Sequence, residues 1–507
     1  MAEVTLNELI TAAAGAEGPS FPPPSKIKLG GVDPLGLRQI NFDLMDKVLP
    51  GLNNVARHIR PFVLVAWAWR RAARLAKEFS GNEVLDDQLV DFVDRIEVIY
   101  AWSQLLRDPN VDLPGRQVLA AIVAQDRYVF GGEAWIKRCN ERRLSTAFTA
   151  PVNYGPGLKA LGWVAPHRDH PRVLIALPEI EPALDAFEAE IADRLDHPAF
   201  CSFGTVEVTK AEAVDWAEAW AINQVTATER RIAAERFFGT AAPIERRNGG
   251  ALILQAAAHL ADASVGPIRG AMCGPPSNFL PSAELIETSH AWRRVQVRQL
   301  LRLGLEAFFY WVMWALEDGP CTSESLVRRF LGEIENRPNA GSAGEWLKPE
   351  SPAPASPVDL IERLNAALID KEGRELESTI AVALSLCLTE EASAGERADR
   401  LSLERAQNEA IAWVDQPAED FVQHILESWV LAQHVYWSVG RGLADARARG
   451  KSLLRLKVVL EEGGWTLTPG ATRGAPIPTP DRLQTAVTLA RECGLLNSVL
   501  AEEAALG

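Results

Sequence analysis

His167, Asp169 and His170 fall in one short run, PHRDHP, closed at both ends by Pro166 and Pro171. Two imidazoles and a carboxylate this close could ligate a divalent metal, and a bound metal could activate water in a nuclease. A metal site also needs further converging ligands and groups that support them, and the neighbouring sequence offers none. An exposed loop is the simpler reading. A second group carries positive charge. Arg57, Arg60, Arg70, Arg71 and Arg74 are interleaved with Phe62, Trp67 and Trp69, and no acidic residue lies between Asp46 and Glu78. Such a cluster suits a nucleic-acid backbone, fixing position rather than reading sequence. The competing reading is a solvated face, or ion pairs to the acidic stretch at 83–97.

Other reactive side chains have weaker claims. Cys273 sits in a Gly/Pro-rich loop expected at 266–281, with no base beside it in sequence. Glu427 and His434 share one face of a helix over 417–449, with His424 a turn earlier. Trp429, Tyr436 and Trp437 surround them, which favours hydrogen-bonded interior groups. Arg298, Arg302 and Glu306, at i, i+4 and i+8, favour an internal ion pair over an anion pocket. Gly450-Lys451-Ser452 copies the end of a phosphate-binding loop. However, Asp445 stands where the earlier glycine is required, and a helix precedes it instead of a strand. The expectation is no cofactor and no catalytic residue.

These groups must be positioned by a long chain. Its 507 residues exceed one hydrophobic core, and 47% hydrophobic content is ordinary for a folded protein. The net charge of −15 is uneven. Residues 1–150 balance 18 basic against 18 acidic side chains, whereas 321–507 carry 19 against 28. Any surface for nucleic acid therefore belongs to the first third, and the acidic end suits protein docking. Six cysteines lie singly, without a C-x-x-C pair, as in a reduced cytoplasmic bacterial protein. Nothing in the sequence suggests a membrane span or a signal peptide.

Apolar periodicity predicts a mainly α, multi-domain protein with small β-hairpin, winged-helix-like insertions. An N-terminal arm (1–32) precedes a helical domain with the basic, Trp-rich helix (33–145). A hairpin plus central helical domain follows (146–331), then a linker (332–357), an acidic helical domain (358–450) and a hairpin with a last helix (451–507). Within these, helices are expected at 114–128 and 131–144, and from Thr209 to about Phe238. Short strands are expected near 161–165, near 172–177 and on either side of Gly463-Gly464. The stretch 303–316 is apolar on every face, as a buried central helix must be.

The pattern DPLGLR at 33–38, VLPG at 48–51, a basic turn and WAWRR at 67–71 resembles the start of an uncharacterised bacterial family. Its members are anti-phage defence-island proteins encoded near Swi/Snf-type helicases and phospholipase-D-like nucleases. WRRVQVRQLLRLGLEAFFYW at 292–311 carries the same resemblance. It implies a setting and a helicase or nuclease partner, and supplies no catalytic residue. The resulting expectation is a non-catalytic structural or recognition subunit. Its rivals are a metal-assisted nuclease using His167, Asp169 and His170, and a winged-helix DNA-binding regulator.

Overall fold

Leu-, Val- and Trp-rich helical periods dominate the chain, and the computed structural model is mainly α-helical. It describes residues 33–496 except 79–84, 115–118, 120–121, 132–134, 136, 138–153, 275–278, 335–340, 349–355, 370–374, 391–395, 397–399 and 450–454. The front half contains α1 (Arg38–Val48), α2 (Ile59–Glu78), α3 (Asp86–Arg107), β1 (Arg127–Phe130), α4 (Gly155–Ala160), β2 (Val164–Pro166) and β3 (Leu174–Ala176). It continues through α5 (Glu181–Glu190), β4 (Val206–Thr209), α6 (Lys210–Ala219), α7 (Ala227–Phe238), α8 (Ile244–His259) and α9 (Val265–Cys273). The central helix is α10 (Ile286–Ala315). Beyond it lie α11 (Ser323–Glu333), α12 (Ala343–Trp346), α13 (Pro357–Ile369), α14 (Leu376–Thr389), α15 (Leu403–Trp413) and α16 (Ala418–His424). A π-helical stretch, Ile425–Leu431, joins α16 to α17 (Ala432–Arg449), and β5 (Val458–Glu461), β6 (Gly464–Leu467) and α18 (Leu483–Glu492) complete the series.

The apolar faces collect into two cores. The first gathers α2, α3, α5, β4 and α7, with Phe62 edge-on to Tyr154 and to Phe237 at 5.0 and 5.4 Å. The second is built on α10 from Val297 onward, against α11, α13, α14 and the π-helical stretch. α10 serves both, because Trp292 and Val295 fall in the first core and Val297 to Leu316 in the second. Leu300, Leu303, Leu305 and Val312 are fully buried; each such side chain contributes about 1.5–3 kcal/mol of transfer free energy.

Both ends of the described chain cross to the opposite core. Leu35 and Leu37 join the second core, and the next helix leads into the first. Gly36 makes this crossing feasible: its φ is +70°, and a Cβ there would collide with the Trp437 ring. At the far end, the β5–β6 hairpin belongs to the second core through Val458, and Cys321 pairs with Trp465. The extended stretch after it runs along α10, held by Arg302 to the Ile477 carbonyl at 2.7 Å, Gln299 to Thr479 at 2.9 Å and Gln296 to Asp481 at 3.0 Å. α18 then returns to the first core through Leu483, Val487 and Leu489. The described part of the last segment, 455–496, is therefore divided between the cores.

Four local expectations need correction. The helix expected from Thr209 to Phe238 is two helices, α6 and α7. A second capping box, Thr226 with Glu229, restarts the chain after Trp220. The helix expected at 114–128 stops short: Leu119, Ile122 and Val123 are helical, the chain turns at Ala124, and β1 then pairs antiparallel with β4 from Arg127↔Thr209 to Phe130↔Val206; the neighbouring 131–144 lies almost wholly outside the described residues. The Gly/Pro run at 266–281 includes α9, because neither Gly266 nor Gly270 carries a special φ. Finally, the stretch 332–357 is more than a tether. Ser342 caps α12 through Glu345, and Ala343, Trp346 and Leu347 are buried in the second core. The hairpins near 161–177 and around Gly463-Gly464 are present as β2–β3 and β5–β6.

Candidate functional site

The α2 arginines are the residues the sequence placed at a nucleic-acid surface, and most of their charge is spent inside the protein. Trp67, Arg70 and Arg74 lie at i, i+3 and i+7, on one face of α2. They meet Glu181, Asp185 and Glu188, at i, i+4 and i+7 of α5. Arg70 pairs with all three at 2.6, 2.6 and 2.8 Å, Arg74 with Glu188 at 3.1 Å, and the Trp67 indole donates to Glu188 at 2.7 Å. Arg60 is fully buried against Glu229 at 3.0 Å, and its guanidinium lies over the Phe187 ring. Burial pushes the Glu229 carboxyl above its ordinary range, against the lowering effect of Arg60. Arg71 donates to the Phe200 carbonyl at 3.0 Å, and Arg57 pairs with Asp112 at 3.1 Å. Arg60 and Arg70 are thus removed from the expected interface, because a phosphate cannot reach them past their own carboxylates. Arg57, Arg71 and Arg74 keep partial exposure.

At the turn into α2, His58 Nδ1 meets Glu492 of α18 at 2.5 Å, and Asp112 is 3.6 Å from its other nitrogen. Burial disfavours the imidazolium, yet the two carboxylates outweigh it and raise His58 to about 9. Glu492 also accepts the Ile59 N–H at 2.7 Å, placing negative charge at the start of α2.

His167, Asp169 and His170 occupy the exposed tip of the β2–β3 hairpin. The two rings are 5.1 Å apart, but His170 turns to Asp86 at 2.8 Å while His167 accepts the Asp169 N–H at 3.1 Å. Arg172 pairs with Asp87 at 2.6 Å, so the tip is fastened to the start of α3. Among the described residues, no group of three or more His, Cys, Asp or Glu is placed to hold a metal ion. Trp163, expected within the first strand, directly precedes it, fully buried against Phe62.

The remaining candidates are dispersed. Cys273 is buried, which pushes its thiol far above its ordinary range, and the Asp481 carboxylate adds to that rise. His424 stacks on Trp413 and meets Glu409 at 2.9 Å, whereas Glu427 accepts from Gln423. His434 donates from Nδ1 to the Pro34 carbonyl and accepts the Lys457 N–H at Nε2, both at 2.9 Å. Burial, with the Lys457 charge adding to it and the Pro34 carbonyl opposing, lowers His434 to about 4 and keeps it neutral. Arg302 and Glu306 form the expected pair at 2.7 Å, while Arg298 reaches Glu396 at 3.3 Å. Glu306 is pushed up to about 7 by burial.

One feature was missed from sequence. On α17, Ala432, Tyr436, Val439 and Leu443 lie at i, i+4, i+7 and i+11, and all four are exposed, Tyr436 at 69%. The opposite side of that helix holds His434, Trp437 and Ser438 against the Asp33–Leu37 segment and the hairpin. The signal was present as apolar residues on two faces of one helix, but the aromatic density there was read as interior.

No family model, no curated protein and no solved structure matches the chain. Among the described residues, no helix is long and apolar enough to cross a membrane.

Proposed function

We propose that the chain is a non-catalytic recognition subunit of a bacterial multi-protein system, docking a partner protein on the outer face of α17. The observation that carries this is the exposed Tyr436–Val439–Leu443 stripe on a helix whose inner face is already fixed. A helical stripe of large apolar side chains gains by being covered. The resemblance at 33–71 and 292–311 supplies the setting, anti-phage defence, and the partner class, a helicase or nuclease subunit. Nucleic acid would then be held mainly by the partner, since Arg60, Arg70 and Arg74 have acidic partners of their own.

The test is co-purification from native lysate with neighbouring genes intact. The wild-type chain brings down a stoichiometric partner, and a Tyr436→Glu/Leu443→Glu variant of unchanged thermal stability does not. Recovery of the wild-type chain alone overturns the reading.

A further inference from the structure

A cavity of about 130 Å3 lies between α3, the β1–β4 ribbon and the turn that precedes β4. Phe92, Phe130, Trp135 and Phe203 line it, and so do Arg95 and Asp91. The rings form two edge-to-face pairs, Phe92 with Phe203 at 5.8 Å and Phe130 with Trp135 at 5.3 Å. Arg95 is 3% exposed, and its guanidinium stands 4.9 Å over the Phe92 ring. Gly204, which also lines the space, has a φ of +87°, a conformation that favours glycine.

The guanidinium is only partly satisfied. Its Nη atoms donate to the carbonyls of Ser202, Ala199 and Gly204 at 2.6, 2.8 and 3.2 Å, while Nε has no partner. Arg95 makes no ion pair with any described carboxylate. Arg246 provides the contrast. It too is buried and holds backbone carbonyls, of Phe237, Pro50 and Arg236, but these use Nε and both Nη groups. Arg246 is a finished structural tie, whereas the Arg95 Nε is left without a partner in the wall of the cavity. Burial lowers the Arg95 guanidinium to about 10, with Cys201 and Asp91 acting against it from a distance, and an anion entering the space would relieve that cost. The space is slightly smaller than the roughly 150 Å3 that encloses benzene, so a single ring fits with its substituent toward the open side. Asp91, exposed and sharing the lining, opposes multiply charged anions and so favours one delocalised negative charge.

We infer that this cavity binds a small planar monocarboxylate, an aromatic acid about the size of benzoate, with its carboxylate on Arg95 and its ring among the four aromatic side chains. This site is separate from the α17 face and does not depend on the partner reading. Calorimetric titration of the full chain with benzoate tests it. Expected is saturable one-to-one binding, with benzamide at least about tenfold weaker, equivalent to about 1.4 kcal/mol. Arg95→Gln abolishes binding, but it also frees three carbonyls and so endangers the fold. Thr205→Trp is therefore the second variant: it fills the exposed mouth, leaves Arg95 in place, and loses binding with an unchanged melting temperature. The inference is overturned if benzoate does not saturate, if benzamide or inorganic phosphate binds as well, or if folded Thr205→Trp keeps full affinity.

Discussion

Each core is closed by a histidine that fastens a segment from the far end of the chain, and the two histidines work in opposite charge states. His58 binds α18 to the first core through carboxylates on Glu492 and Asp112, and is raised to about 9. His434 binds the Asp33–Leu37 segment and the hairpin to the second core through a backbone carbonyl and a backbone N–H, and is lowered to about 4. The same side chain becomes a cation where its neighbours are acids and stays neutral where its second nitrogen must accept a proton. The chemistry of the partner, more than depth, decides which.

The largest expected effect tests how far the first core relies on charge. Glu229→Ala strands Arg60 in a fully buried site and removes the Glu229 half of the α7 capping box. Urea unfolding should show a loss of about 3–5 kcal/mol, while Arg60→Met with Glu229→Leu recovers most of it. An equal loss in the double variant would show that the ion pair itself, not the stranded charge, holds the core.

The second effect belongs to His434. Its folded value lies below its unfolded one, so its contribution is present above about pH 6.5 and is lost as pH falls toward 4. Wild-type stability should drop by about 3 kcal/mol across that window, with faster amide exchange at 35–37 and at Lys457. In His434→Gln that acid-limb contribution disappears. His58 runs the other way. Its folded value is raised, so its stabilisation is complete below about pH 6.5 and fades as pH climbs to 9. A loss of about 3 kcal/mol is expected between these values, and a flat profile there in His58→Gln; a wild-type profile without this alkaline slope would break the comparison. The smallest effect is Arg74→Ala, whose half-exposed pair with Glu188 should alter the melting temperature by less than the equivalent of about 1 kcal/mol.

The sequence revealed what depends on neighbours within a few turns. The all-round apolar 303–316 run marked a buried helix, Arg302 and Glu306 are four residues apart on one face, and Thr209 with Glu212 announced α6. Pairings across long separations were not legible. Glu229 lies far from Arg60, and the α5 acids lie far from Arg70, so a stretch empty of local acids looked like a free cationic surface. The β1–β4 ribbon escaped for the same reason, each strand being short and its partner remote. Trp346 was hidden by its Gly/Pro/Ser surroundings, although one buried indole suffices to dock a loop.

The return of α18 to the first core bears on how the protein is made. A ribosome that has produced everything through α10 has not yet supplied Leu483, Val487 and Leu489, nor the carboxylate that His58 grips. The early half therefore emerges with an unfinished wall, and its sticky interior must be shielded until the last helix leaves the exit tunnel.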